Sequence, residues 1–376
     1  MNPIDVYPVY DITPHKAEGA YVWDDQGTKY LDFYGGHAVI SIGHTHPHYV
    51  QRINDQLGRL GFYSNSIRMP IQQELATKLG ELSGYADYDV FFCNSGAEAT
   101  ENAIKAAGFS QPEKSKIIVF EKGFHGRTSM AVSCTDNKKV QTQFDNHQDI
   151  IRLPLNDLES LKANFNDQIC AVMVEGMLGI GGIHVPSKEF LAAIRSLCDE
   201  HGAVMILDEI QSGYGRSGVF FAHQLQDVKA DVVTMAKGMG NGFPIGGVLV
   251  SPEMTRWKGM LGSTFGGNHL ACAAGLAVLE VMEKENLLTN AQEKGAYLKQ
   301  ELSKIEQVKE IRGAGLMLGL VMDQPVADIR KSLVFDHQVF TGSSSEPNVL
   351  RLLPPLSIDD HDCDQFLEAF RKVLAS

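Results

Sequence analysis

Three short stretches hold the residue types from which chemistry could be built. The apolar run 203–207 ends abruptly on two acids, Asp208 and Glu209. An amine, Lys237, follows the apolar run DVVTM (231–235) within TMAKGMGNGFPIGG. A third apolar run, DVFFC (89–93), opens into NSGAEAT, where Asn and Ser mark a helix start and Gly96 lets a backbone approach closely. Free amides and the helix dipole at such a start suit a phosphate. If the runs are strands of one parallel sheet, ligands sit beyond their carboxyl ends and the three groups share a crevice. A phosphate cradle, a carboxylate and a lysine are the parts that pyridoxal phosphate requires. The amine forms a Schiff base, and the acid favours a protonated pyridine nitrogen, the electron sink of the cofactor. Each part also has a plainer reading. An Asp after a strand often only caps a helix. A Lys there is commonly solvated, and GMGNGFPIGG fits neither the P-loop nor the dinucleotide fingerprint. Order and combination favour the cofactor.

The elements that must position these groups alternate between strand and helix. Short apolar runs at 89–93, 116–120, 169–174, 203–207, 231–235 and 246–250 read as strands covered on both faces. Between two of them, SKEFLAAIRSLCDEHG (187–202) places Phe190, Leu191, Ile194, Leu197 and Cys198 on one helical face, with His201 and Gly202 as stop signals. Strand, helix and strand with short joints predict an α/β fold with a mostly parallel sheet flanked by helices. The first ~50 residues read as turns and short strands. After about 268 the pattern becomes helical, with short β-like pieces at 316–322 and 348–353 and a last helix to Ser376. The expected organisation is an N-terminal segment 1–50, a large domain 51–268 and a C-terminal part 269–376. The two ends together build a smaller α+β domain.

The 376-residue chain carries 33 Lys+Arg against 46 Asp+Glu, a formal net charge of -13. Such a surface repels nucleic acid and anionic membrane, so an anion site needs a local basic cluster. Six cysteines, at 93, 134, 170, 198, 272 and 363, form no CxxC pair, and reduced thiols in the cytoplasm are expected. The opening MNPIDVYPVYD has no apolar leader-like run, and no run approaches the ~18 apolar residues of a membrane span. The histidines of GHTHPH, at 44, 46 and 48, alternate as strand ligands could. The proline and the lack of nearby cysteine make a turn the better reading, and no metal is expected.

Longer motifs carry a resemblance over nearly the whole chain. They are GAYVWDDQGTKYLDFYGGHAVISIGHTHPHYV, FFCNSGAEATENAIKAA, GFHGRTSMAVS, LDEIQSGYGRSG, AKGMGNGFPIGG and GSTFGGNHLACAAGLAVLE. The chain resembles the class III (ω-amino) pyridoxal-phosphate-dependent aminotransferases of fold type I, and most of all their acetylornithine branch in arginine biosynthesis. The resemblance implies Lys237 as the Schiff-base lysine and Asp208 as the partner of the ring nitrogen. Gln211 would meet the ring hydroxyl, Gly96 and Ala97 the phosphate, and Phe124 the ring face. Glu209 and Ile210, between Asp208 and Gln211, fall in the same cofactor-binding segment, and His125 would line the cofactor. The family forms homodimers with the site at the interface, where Thr264 reaches the neighbouring subunit's phosphate and Ser263 lies near substrate. Arg127 would grip the acylornithine carboxylate and Arg351 the α-carboxylate of glutamate or 2-oxoglutarate, since a guanidinium meets a carboxylate bidentately. In the implied reaction the δ-amine of an N-acylated ornithine displaces Lys237, which then moves a proton from the δ-carbon to the cofactor. 2-Oxoglutarate takes the amine in reverse and leaves as glutamate.

The chain departs from the family at VEGMLGIGG (174–182), where relatives usually read VEPxQGEGG. Glu175 is kept, but Gly176, Leu178 and Ile180 replace Pro, Gln and Glu. In relatives the second Glu pairs with the arginine matched by Arg351. Here Arg351 is expected to be unmasked or to find another acid, with weaker discrimination against donors that present an α-amino acid end. A plain reading keeps Arg351 as a surface residue on a strand edge. His37 stands where ornithine-specific relatives carry a tyrosine, and Tyr7 or Tyr10 is a further candidate near the donor. The acyl group, acetyl or succinyl, is open. Rival readings are an aminotransferase for succinylornithine, ornithine or 4-aminobutyrate, an aminomutase, and a noncatalytic pyridoxal-phosphate-binding protein.

Overall fold

The computed structural model describes residues 1–145 and 147–375. Its centre is a seven-stranded sheet. The order across it is Asp89–Cys93, Gly246–Val250, Val232–Met235, Val204–Asp208, Ile169–Glu175, Lys116–Phe120 and Ile150–Leu153. Every residue of Ile169–Glu175 and Val204–Asp208 is buried, as continuous apolar runs require when helices cover both faces. Neighbouring strands from Val232–Met235 through Ile150–Leu153 run parallel. Gly246–Val250 departs from the expected parallel series and pairs antiparallel with both its neighbours. The joint from Met235 to Gly246 holds only a short 3-10 turn, and a parallel return needs a crossover of a dozen or more residues, usually helical.

The helix Lys188–His201 forms as its periodicity predicts. Ser187 caps it by accepting from the Phe190 amide, and Gly202 ends it at φ 60°. Phe190, Leu191, Ile194 and Cys198 are buried, and Leu197 is partly so. The helix Gly96–Ser110 starts at Ser95, whose hydroxyl accepts from the Glu98 amide.

Both chain ends meet in a four-stranded sheet, where Val339–Phe340 lies parallel to Lys29–Asp32 beside Tyr21–Asp24 and Pro14–Glu18. A three-stranded sheet joins Val308–Ala314, Met317–Met322 and Val349–Leu352. The first of these was not anticipated, because KEIR within it lacks a clear apolar alternation. The last helix spans Asp360–Ala375; Ser376, its expected end, lies outside the described residues. Two helices, Pro47–Arg59 and Pro70–Ser83, each open on a proline at the first turn. The former buries no residue within the chain. GHTHPH is thus the entry to a helix, and its histidines go to three separate acids: His44 to Asp32 at 2.8 Å, His46 to Glu285 at 2.9 Å and His48 to Glu280 at 2.5 Å. Among the described residues no helix is long and apolar enough to cross a membrane.

Candidate active site

Strand register builds the site. Asp208 lies beside Glu175 on one side and Thr234 on the other. Lys237 follows two residues beyond the end of Val232–Met235. Over this edge opens a cavity of about 390 Å³, within the range of small-molecule sites. Asp208, Lys237, Gly96, Ala97 and Phe124 all line it, so the crevice expected from the three strand ends exists.

The acids of this cavity are engaged. Asp208 is 3% exposed. Its Oδ2 lies 2.7 Å from His125 Nδ1, and its Oδ1 accepts from the Ile210 amide at 3.0 Å. Burial opposes a charge on His125, but the Asp208 bond and charge outweigh it and raise the imidazole's pKa. His125 thereby fixes the direction of the carboxylate. Glu175 accepts from the amides of Phe124 and Gly179, each at 2.9 Å. Desolvation, with help from Asp208, pushes its pKa up to about 7 against the pull of His125 and the two amides.

Lys237 presents the contrast. Among the described residues its Nζ has no hydrogen bond or ion pair. Desolvation lowers its pKa, Arg351 adds to that, and Asp208 and Glu175 oppose it. Its backbone is left-handed, φ 46°, a conformation that costs a non-glycine residue on the order of 1 kcal/mol and clusters at functional sites.

The donor set fits pyridoxal phosphate. An amine without a partner faces the same space as an acid held by His125. Phe124 supplies an aromatic wall. The first-turn amides of Gly96 and Ala97 have no intrahelical partner and lie at the positive end of a 15-residue helix. A Cβ on Gly96 would come 3.0 Å from the Ile210 side chain, so glycine keeps this end open without displacing it.

Other expected residues divide. Arg127, Ile180, Ile210 and Gln211 line the cavity, and Arg127 is exposed at its mouth. Ser263 Oγ accepts from Asn94 Nδ2 at 3.0 Å, and Asn94 is a lining residue. Thr264 is exposed and does not line the cavity of its own chain. Glu209 requires correction. It points to the opposite side from Asp208, as alternate residues leaving a strand do. There it binds the Ser212 hydroxyl, the Ala222 and His223 amides, and His223 Nδ1 at 2.7 Å. It holds the loop and not the cofactor. Tyr7 and Tyr10 are exposed, and Tyr10 packs on Phe335 with ring centroids 5.5 Å apart.

Arg351 is 2% exposed, which excludes a surface role. It makes no ion pair among the described residues. Its Nε donates to the Ser343 carbonyl at 2.5 Å and its Nη1 to Gln211 Oε1 at 3.1 Å. Where an acid or an unmasked guanidinium was expected, a neutral amide is found. Sequence reading also missed Asn94 and Ser95 as lining residues; the S-x-x-E spacing of Ser95 and Glu98 was the available signal for the latter.

Comparison with known proteins agrees with this geometry. Residues 5–374 match the family described as aminotransferase class-III. A protein of Vibrio cholerae named acetylornithine aminotransferase is 40% identical over 100% of this chain and 94% of its own length. One of the same name from Bacillus subtilis is 41% identical over 98% and 96%. Among solved structures, an ornithine aminotransferase from Toxoplasma gondii superposes with a TM-score of 0.91 at 29% identity, covering 99% of this chain and 93% of that one. An acetylornithine aminotransferase from Elizabethkingia anophelis gives 0.85 at 28%, covering 99% and 96%.

Proposed function

The chain belongs to the class-III aminotransferases, which are pyridoxal-phosphate-dependent transaminases, and from that premise we propose that it moves the δ-amino group of N2-acetyl-L-ornithine, or another N2-acylornithine, to 2-oxoglutarate. The products are the acylglutamate semialdehyde and L-glutamate, a step of arginine biosynthesis in the cytoplasm. Residues 51–268 are taken as the cofactor-binding domain, with 1–50 and 269–376 forming the smaller one.

One observation carries the choice of donor. The only acids lining the cavity among the described residues, Glu175 and Asp208, are both committed to internal partners, whereas Arg127 is free to receive a carboxylate. A free ornithine would bring an α-ammonium with no acid to meet it. Acylation removes that charge and leaves the α-carboxylate for Arg127.

Pyridoxal phosphate, when bound, supplies an electrophilic carbon for the amine and a ring that takes up the electron pair left by a departing proton. Lys237 Nζ, made less basic by burial, would take up the proton from the donor's δ-carbon and hold it for return. Asp208, steered by His125, favours positive charge on the ring nitrogen. Phe124 would hold the ring face, Gly96 and Ala97 the phosphate, and Gln211 and Ile210 would border the ring. Arg351 receives the α-carboxylate of glutamate or 2-oxoglutarate.

The working unit we propose is a homodimer with the site at the interface, to which Thr264 and Ser263 contribute. In support, Leu57, Leu60, Phe62, Tyr63, Ile67 and Phe265 are all exposed large apolar residues, and Phe62 and Phe265 touch with ring centroids 5.3 Å apart. Exposed apolar surface of this kind calls for a cover. The test is a donor screen against 2-oxoglutarate with acetylornithine, succinylornithine, ornithine and 4-aminobutyrate. An acylornithine should exceed ornithine in kcat/KM by about tenfold or more, as expected for one unpaired charge. Equal use of ornithine overturns the donor assignment.

A further inference from the structure

Arg351 is a nearly fully buried guanidinium whose single side-chain acceptor among the described residues is an amide. The amide is not placed by chance. Gln211 Nε2 donates to the His37 carbonyl at 3.2 Å while its Oε1 accepts from Arg351. A guanidinium only donates and a carbonyl only accepts, so both ends of the amide are fixed and it cannot flip. The His37 carbonyl is itself aimed by an unusual turn. Gly35, Gly36, His37 and Ala38 are all left-handed, with φ of 55°, 54°, 68° and 64°. Runs of left-handed residues are disfavoured for L-residues and persist only where surroundings impose them. On the other side stands Gly179, where a Cβ would overlap Gln211 Oε1. The turn, the glycine and the arginine together define one pose of Gln211.

We propose that Gln211 is a neutral, displaceable cap that sets how readily Arg351 receives a substrate carboxylate. This rests on the reading of Arg351 as the α-carboxylate receptor. An entering carboxylate exchanges one hydrogen bond from the cation to an uncharged acceptor for a bidentate pair in which both partners are charged. Release of the amide leaves its Nε2 on the His37 carbonyl, so the cap is held for return. A fixed acid at the same place would compete with the ligand for the guanidinium; an amide does so only weakly. Ile180, which lines the cavity and carries no charge, offers no such competitor.

The test uses the cofactor-loaded enzyme and glutarate, a dicarboxylate with no amine or carbonyl to react, with binding followed by calorimetry. Gly179→Ala pushes the amide off Arg351 without altering residue 211, and glutarate should bind about tenfold tighter, the worth of one hydrogen bond to a charged group. Gln211→Glu installs a permanent competitor, and binding should weaken about tenfold or more. Opposite shifts support the proposal; shifts in the same direction, as general loosening produces, or no shift at all, overturn it. Should Gly179→Ala fail to fold, Gln211→Ala removes the same acceptor and should also tighten binding; unchanged or weaker binding then overturns the proposal. Amine exchange between glutamate and 2-oxoglutarate, measured in parallel, shows separately whether the transaminase reading stands.

Discussion

The Asp208 side of the site and the Arg351 side, which meets the cavity through Gln211, are electrostatic opposites. Around Asp208 each acid is satisfied: His125 and the Ile210 amide hold Asp208, and the amides of Phe124 and Gly179 hold Glu175. Around Arg351 a buried cation makes no ion pair among the described residues, and Glu175 acts on it only at a distance. The first side is organised before any substrate arrives, as catalysis by fixed charge requires. The second keeps its charge uncompensated, so that a ligand can compensate it. Chemistry and recognition are thus separated by whether the protein or the substrate supplies the counter-charge.

The sharpest break of the organised side is Lys237→Ala. Loss of both the amine and the proton carrier should lower turnover by about 10⁴-fold or more, seen in single-turnover amine exchange. Sustained activity refutes the assignment. Asp208→Asn keeps the shape but removes the charge, and the rate should fall about 10²–10³-fold with an unchanged far-UV spectrum and melting profile. A near-normal rate places the pyridinium partner elsewhere.

On the recognition side the effects should be smaller and confined to one half-reaction. Arg351→Gln should lower kcat/KM for 2-oxoglutarate about 30- to 100-fold through the loss of a bidentate pair, and leave the acylornithine half-reaction within about threefold. Equal losses in both halves would merge the two sides. Ile180→Glu restores the acid that relatives carry at this position of the cavity and should shift the ratio of acylornithine to glutamate half-reactions about tenfold toward acylornithine. An unchanged ratio counts against any masking of Arg351 by charge.

Much of the organised side was legible in the sequence because each of its groups sits at the end of a strand. Apolar runs ending on Asp208 and on Lys237, and the NSGAEAT helix start, encode position and chemistry within a few residues. Glu209 enters only as part of the segment that the resemblance implies, and neighbours leaving a strand face opposite ways, so only one can reach the crevice. The antiparallel Gly246–Val250 run was hidden because burial on both faces erases the alternation that could mark it, leaving loop length as the sole clue. The cap on Arg351 was not legible. Its parts come from positions 37, 179, 211 and 351, brought together by the fold and a strained turn that no local pattern announces.

The smallest effect concerns stability and probes how completely the organised side is neutralised. Glu175 is held with its pKa raised from its ordinary 4.5 to about 7, chiefly by desolvation. Between those values the folded protein binds more protons than the unfolded chain, so stability falls as pH rises from 4.5 through 7. The stabilisation relative to the ionised state is fully present below 4.5 and is lost above 7. For this one group the fall is on the order of 3 kcal/mol, from 1.36 kcal/mol per unit. Glu175→Gln removes the titration, and the dependence of denaturant midpoint on pH across that window should flatten. His125, whose pKa is also raised, contributes a residual slope of the same sign. If the slope is unchanged in the variant, Glu175 is already ionised at pH 5. The amides of Phe124 and Gly179 would then compensate its charge fully, and the contrast with Arg351 would be sharper than burial alone implies.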